Sequence, residues 1–196
     1  MIDLKIIFAV VSILLGTYAF FPYLRDTIRG KTQPHSYTWL IWSLTQGTAA
    51  FGIFYGGGGI GGLAFAIGAV FVFITFLFSL KYGTKNITSF DTILLIVALL
   101  AIFLWWYFKD PFISVLLVCI IDIVGYFPSF RKSYQEPWSE TLLAWGCFIV
   151  GNSFALLALR EYNFLTMGYI ISISVANLLL ILICVVRRKS IARPQM

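Results

Sequence analysis

Charged side chains are scarce in this chain. Its 196 residues include only 14 Lys and Arg and 8 Asp and Glu, whereas 60% are hydrophobic. A soluble domain of this length could not cover so much apolar surface, so the composition predicts an integral membrane protein surrounded by a lipid bilayer. The basic residues lie in short clusters between apolar runs and form no continuous basic face, so we expect no nucleic-acid partner.

Residues suited to catalysis or metal binding are equally few. The chain has one histidine, His35, and three cysteines, Cys119, Cys147 and Cys184, all three inside apolar runs. Their spacing matches no metal site, and no nucleophile is paired with a base. We therefore expect no enzyme activity and no cofactor. The glycine-rich segment Gly56–Gly62 contains a GxGxxG pattern, but it joins two apolar runs, so we interpret it as a turn.

Long apolar runs are abundant. Seven of them have 17 to 23 residues each: Ile6–Leu24, Ser36–Tyr55, Ile60–Leu80, Thr92–Phe108, Pro111–Phe130, Thr141–Leu159 and Phe164–Val186. A helix needs about 20 residues to cross the hydrocarbon core, and lipid offers no partner to an unpaired backbone amide. The fold class is therefore predicted to be all-α, with seven transmembrane helices.

The distribution of Lys and Arg predicts the orientation. Eleven of the 14 lie in alternate connections and in the carboxyl-terminal tail, whereas Lys5, Lys109 and Arg160 lie on the other side. Basic residues favour the cytoplasmic side of membrane proteins. We expect a multi-pass protein of the cytoplasmic membrane with its amino terminus outside and its carboxyl terminus in the cytoplasm.

The two halves of the chain resemble each other. Pro22 and Pro128 lie 106 positions apart, each in a Phe-Pro segment that ends in arginine. A second proline follows in each half, and a tryptophan lies eight residues after it: Pro34 with Trp42, and Pro137 with Trp145. A repeat of three helices crosses the membrane an odd number of times, so a second copy that followed directly would have the inverted orientation. One additional helix between the copies restores the orientation, and the fourth run therefore predicts two parallel repeats in a 3+1+3 arrangement.

This arrangement divides the chain into four parts. Residues 1–89 form the first three-helix repeat and residues 90–109 the linker helix. Residues 110–187 form the second three-helix repeat, and residues 188–196 a basic cytoplasmic tail. Ligand sites of parallel-repeat transporters lie at the interface between the repeats.

The repeat resembles the SWEET and PQ-loop transporter superfamily. The similarity rests on the 3+1+3 pattern, on the prolines near the cytoplasmic end of each first helix, and on the basic stretch Gly30–Ser36 that follows. Pro22-Tyr23 and Pro128-Ser129 stand where that family has Pro-Gln. The resemblance implies alternating-access transport of a small polar solute, sugar-like by passive uniport or amino-acid-like with protons. A receptor or structural protein of the same fold is the alternative, and a homo-oligomer stays open.

Asp122 is the most informative single residue. It lies in the middle of the fifth run, where a carboxylate costs about 2.5–3.5 kcal/mol by insertion scales. A group this costly is expected to face the bundle interior. We interpret it as a proton-coupling or substrate-binding carboxylate; the alternative is a neutral aspartate that ties two helices together.

Further polar and aromatic residues are candidates for the same site. The amides of Asn152, Asn177 and Gln46 suit a neutral polar substrate, or alternatively tie helices together. The resembled family uses an Asn in each third helix; Asn177 matches in the second repeat, whereas Phe71 stands in the first. Trp42 and Trp145 offer flat faces to a ligand or serve as packing residues. Trp39 is interpreted as an interface anchor.

The prolines are candidates for a gate. Pro22 and Pro128 lie inside predicted helices, where a missing backbone hydrogen bond weakens the helix, and the resemblance implies a hinge there. Pro34 and Pro137 are assigned to the same gate or, alternatively, start their helices. Asp91 is predicted to be the N-cap of the fourth helix.

Overall fold

The chain is helical apart from short connections. A computed structural model describes residues 3–108 and 110–193, without the side chains of residues 101, 102, 104–106 and 108. Within these residues lie seven α-helices: α1 (Leu4–Ile28), α2 (Ser36–Tyr55), α3 (Leu63–Tyr82), α4 (Ser89–Phe108), α5 (Pro111–Gln135), α6 (Leu142–Ala158) and α7 (Phe164–Arg188). Each helix overlaps one predicted run, so the prediction of an all-α fold with seven helices is confirmed. Lys109, assigned to the outer side, lies outside the described residues.

Several helices are long and apolar enough to cross a membrane. In the described chain four stretches meet this condition, with mean hydropathy between 2.1 and 2.7: Leu4–Ile28, Gly59–Tyr82, Pro111–Gln135 and Phe164–Arg188. Leu142–Ala158 is a shorter apolar helix. Large apolar side chains such as Leu14, Phe73 and Leu182 are exposed on these helices. A surface of this kind suits contact with lipid, so the helices are compatible with a multi-pass membrane protein.

The helices pack in matching sets. α3 packs against α1 and α2, and α7 packs against α5 and α6. The largest contacts between these sets join α1 to α6 and α2 to α5. α4 packs against α5 and, less extensively, against α2. The described contacts therefore leave α4 at the side of the other six helices.

Neighbouring connections meet at two ends of the bundle. At one end, where α1, α3, α5 and α7 finish, the Thr141 hydroxyl donates to Asp26 over 3.1 Å and the Thr84 amide donates to the Pro34 carbonyl over 3.1 Å. At the other end the Asn163 side chain donates to the Gly56 carbonyl over 2.8 Å. We refer to these as the basic end and the opposite end.

The connection between α2 and α3 is a tight turn. Gly57 and Gly59 have φ angles of 83° and 60°, in the left-handed region that favours glycine. A short 3₁₀ helix, Gly59–Gly62, follows and leads directly into α3. No strand precedes this segment, which follows α2. The interpretation of Gly56–Gly62 as a turn agrees with this geometry.

Candidate binding cavity

A cavity of about 80 Å³ lies inside the bundle. Its described walls come from every helix except α4. All six residues predicted to bind or couple substrate line it: Asp122, Asn152, Asn177, Trp42, Trp145 and Gln46. The structure therefore brings the six together, and their role in binding stays a prediction.

Asp122 lies on the buried face of α5. Val115, Val118, Asp122 and Tyr126 recur at helical spacing along that face. The Asp122 side chain is 1% exposed. Its Oδ1 accepts a hydrogen bond from the Thr45 hydroxyl, and its Oδ2 accepts one from the Tyr169 hydroxyl over 2.6 Å. The carboxyl group thus joins α2, α5 and α7 through two neutral donors.

The two candidate asparagines have partners within the second half of the chain. The Tyr126 hydroxyl donates to Asn177 Oδ1 over 2.5 Å. Asn152 Nδ2 donates to the Ser174 hydroxyl over 3.1 Å. Both amides therefore tie helices together, as the structural alternative expected, and both also border the cavity.

Gln46 differs from the asparagines. Its amide forms no hydrogen bond with any residue that the structure describes, and it lines the cavity from α2. A Cβ atom at Gly68 would lie 2.6 Å from Gln46 Nε2, so the glycine on α3 makes room for this amide. Gln46 is therefore the predicted amide that is free to bond a ligand.

Three tryptophans form one wall of the cavity. The ring centroids of Trp39 and Trp42 are 5.2 Å apart, those of Trp42 and Trp145 6.1 Å, and those of Trp42 and Tyr126 4.4 Å. Trp39 is 2% exposed and lines the cavity, so its assignment as an interface anchor is wrong. Trp39 lies on a face of α2 that points into the bundle, and its indole ring packs against Phe20 and Tyr23.

A buried charge pair closes the basic end next to Trp145. The Lys132 ammonium is fully buried, contacts the Glu140 carboxylate, and donates to the Gln33 carbonyl over 2.6 Å. Trp145 Nε1 donates to the other Glu140 oxygen over 2.9 Å. Because Gln33 belongs to the first half of the chain, the pair links both halves directly beyond the cavity wall.

A second charged cluster surrounds His35. Asp91 accepts hydrogen bonds from the Thr88 amide, over 2.8 Å, and from Arg131, over 2.6 Å. The Thr88 hydroxyl in turn accepts a hydrogen bond from the Asp91 amide, so Thr88 is the N-cap of α4 and Asp91 is the third residue of the helix. The assignment of Asp91 as the N-cap is therefore wrong. His35 Nε2 lies 3.4 Å from Asp91 Oδ2 without hydrogen-bond geometry. Burial lowers the pKa of His35 to about 4, against the opposing effect of Asp91.

The four candidate prolines occupy two kinds of position. Pro22 lies inside α1 and Pro128 inside α5, both buried. Pro34 lies two residues before α2, and Pro137 begins a short 3₁₀ helix, Pro137–Ser139, ahead of α6. The first pair therefore interrupts the hydrogen bonding of a helix, whereas the second pair lies in the connections. A hinge role stays a prediction for all four.

Three residues that hold cavity side chains in place were not predicted from the sequence. Thr45, Tyr126 and Tyr169 hold Asp122 and Asn177 in place. Tyr126 follows Asp122 by four residues and Thr45 follows Trp42 by three, so helical spacing alone would have found both. Tyr169 carries no such signal, because its approach to Asp122 depends on the packing of α7 against α5.

No family model, curated protein or solved structure matches the chain. Similarity to known proteins therefore neither supports nor contradicts the resemblance to the SWEET and PQ-loop superfamily.

Proposed function

We propose that this chain is a seven-span membrane transporter that moves a small polar solute by alternating access. Its two three-helix repeats would rock around the cavity, with α4 as the linker. The carboxyl terminus would lie in the cytoplasm, as the basic residues of the tail favour. Transport would be passive or coupled to protons, because the sequence has no ATP-binding motif.

One observation carries the proposal. The cavity is bordered by α1, α2 and α3 from the first half and by α5, α6 and α7 from the second half. It contains the carboxyl and amide residues singled out because such groups are rare in apolar runs, and the tryptophans singled out because they occupy matching positions in the two halves. A site between two repeats is the arrangement that alternating access requires.

The helix contacts support two equivalent repeats. The packing of α3 on α1 and α2 has its counterpart in the packing of α7 on α5 and α6. The α1–α6 contact has its counterpart in the α5–α2 contact. Two bundles related by an axis along the membrane normal would give this pattern, and α4 has no counterpart.

Hydrogen bonds between the two halves at both ends of the bundle support the presence of two gates. At the basic end Thr32 and Asp26 bond Thr141, and the Gln33 amide donates to the Ser139 carbonyl over 3.1 Å. At the opposite end the Arg160 amide donates to the Gly58 carbonyl over 3.3 Å. Opening one set while the other stays closed would expose the cavity to one side of the membrane at a time.

Uptake into proteoliposomes tests this function. The purified chain is reconstituted and offered a radiolabelled panel of sugars, amino acids and small amines, with and without a pH gradient; empty liposomes are the control. We expect saturable uptake of at least one member. Absence of flux for the whole panel, in protein that remains folded, would contradict transport and favour the receptor or structural alternative.

A further inference from the structure

The cavity holds a single carboxyl group and no countercharge. Asp122 is the one acidic residue among the described lining residues, and no Lys, Arg or His lines the cavity with it. Its two partners, Thr45 and Tyr169, are hydroxyl donors without charge. Gly16, 106 positions earlier on α1, lines the cavity without any charge to balance it. An ionised carboxylate in this position calls for a cation, because hydroxyl groups alone offset only part of its lost hydration.

The remaining wall suits an organic cation. Eight of the twenty lining residues are aromatic. Trp42 and Trp145 already use their indole N–H groups, toward the Asp122 carbonyl over 3.5 Å and toward Glu140 over 2.9 Å. Where these two residues border the cavity, a ligand would therefore meet the atoms of their rings and no free indole N–H. Aromatic faces attract ammonium groups, most strongly where water is excluded.

The same wall disfavours other small solutes. A carboxylate or phosphate would meet no basic side chain and would be repelled by Asp122. A sugar needs many hydrogen-bond partners, yet Asn152 Nδ2 and Asn177 Oδ1 are already bonded to Ser174 and Tyr126, and Gln46 is the lining amide whose two polar groups are both unbonded among the described residues. With a volume of about 80 Å³, the cavity also favours a compact ligand.

We propose that the cavity binds a compact organic cation, an alkylammonium or quaternary ammonium compound, with Asp122 as its countercharge and Trp42 and Trp145 against its alkyl groups. This ligand class rests on the proposed transport function for its biological role. Binding itself is measured without transport, so the two proposals can fail separately.

Binding to purified protein in detergent tests the ligand class. Tryptophan fluorescence is titrated with choline and tetramethylammonium, and with 3,3-dimethylbutan-1-ol, which replaces the choline nitrogen by carbon. We expect saturable binding of both cations and at least about tenfold weaker binding of the alcohol. Equal binding of choline and the alcohol would overturn the proposal, as would displacement of choline by sodium at constant ionic strength.

Variants of Asp122 separate the contribution of its charge to binding from the contribution of the rest of the cavity. Asp122→Asn should lose the preference for choline over the alcohol, and Asp122→Glu should keep it. Glu161→Gln makes the same charge change at an exposed position outside the cavity and should behave as the parent chain. A folded Asp122→Asn protein that keeps the preference would overturn the proposal. If Asp122→Asn does not fold, the comparison of choline with the alcohol on the parent chain and on Asp122→Glu decides.

Uptake then distinguishes the two proposals. Choline binding without choline flux in proteoliposomes would contradict transport and leave the ligand class standing. Flux of a neutral solute by protein that binds no choline would overturn the ligand class and leave transport standing.

Discussion

Lys132 shows how a single residue can support one end of the molecule. Its ammonium is fully buried and has three acceptors: Glu140, the Gln33 carbonyl, and the Ser139 carbonyl at 3.4 Å. A buried ion pair adds little stability compared with apolar packing, but removal of one partner strands the other charge. The Lys132–Glu140 pair therefore joins the end of α5 to the segment before α6 and to Gln33 at the basic end.

Lys132→Met should lower the free energy of unfolding by about 3–5 kcal/mol, because Glu140 stays buried without its cation. Denaturant unfolding in detergent, followed by circular dichroism, measures the change. The double variant Lys132→Met/Glu140→Gln should recover most of the loss. Arg25→Met, which breaks an ion pair with a 57% exposed arginine side chain, should cost no more than about 1 kcal/mol. Equal effects of Lys132→Met and Arg25→Met would contradict this account.

His35 should make stability depend on pH. The pKa of about 4 in the folded chain lies below the value of about 6.5 expected after unfolding. Between these values the unfolded chain binds a proton that the folded chain does not, so stability falls as pH falls, by up to about 3 kcal/mol. Above pH 6.5 this effect is absent. Unfolding at several pH values measures it, and His35→Gln should flatten the profile between pH 6.5 and 4; parallel profiles would contradict the prediction.

At the scale of the helix, α5 carries both cavity-lining residues and the proline of the proposed hinge. Pro128 leaves the carbonyl of Val124 without its helical donor. Next to this break, the Thr38 hydroxyl of α2 donates a hydrogen bond to the Gly125 carbonyl over 2.8 Å and accepts one from the Ser129 hydroxyl over 3.0 Å. The weakened turn of α5 is therefore also the point where α2 holds it from the other half of the chain.

Pro128→Ala should slow transport by about tenfold, corresponding to about 1.4 kcal/mol on the barrier, and leave ligand affinity unchanged. The reason is that a restored helical hydrogen bond stiffens the hinge without touching the cavity. Initial uptake rates and binding titrations measure the two quantities. Pro111→Ala is the matched control, because Pro111 occupies the first turn of the same helix. Unchanged uptake in Pro128→Ala would contradict the hinge.

The helices could be predicted because each is marked by an apolar run in its own stretch of sequence. Apolar runs long enough to cross a bilayer define each helix without knowledge of its neighbours, and α1 and α5 extend furthest beyond their runs at the basic end, where Arg25 and Lys132 continue the helix. The capping of α4 was assigned to Asp91 instead of Thr88, because both residue types are good caps and only the structure shows that Asp91 turns toward Arg131.

At the scale of the whole molecule, the sequence pointed to residues that line the cavity but not to the buried charge pair at the basic end. Asp122 and Gln46 were found because polar groups are rare in apolar runs. Lys132 and Glu140 were missed because charges next to a basic connection are typical of exposed loops. Their burial depends on the α5–α6 connection folding against Gln33, a long-range contact that no local pattern encodes.

Alternating access is tested most directly by locking one end of the molecule. In a chain whose three cysteines are replaced by alanine, Thr32→Cys and Thr141→Cys place two thiols where hydroxyls from the two halves now share a hydrogen bond. Each single variant is a control. We predict that oxidation of the double variant abolishes uptake into proteoliposomes and that reduction restores it. Undiminished uptake by fully cross-linked protein would contradict alternating access between the two halves.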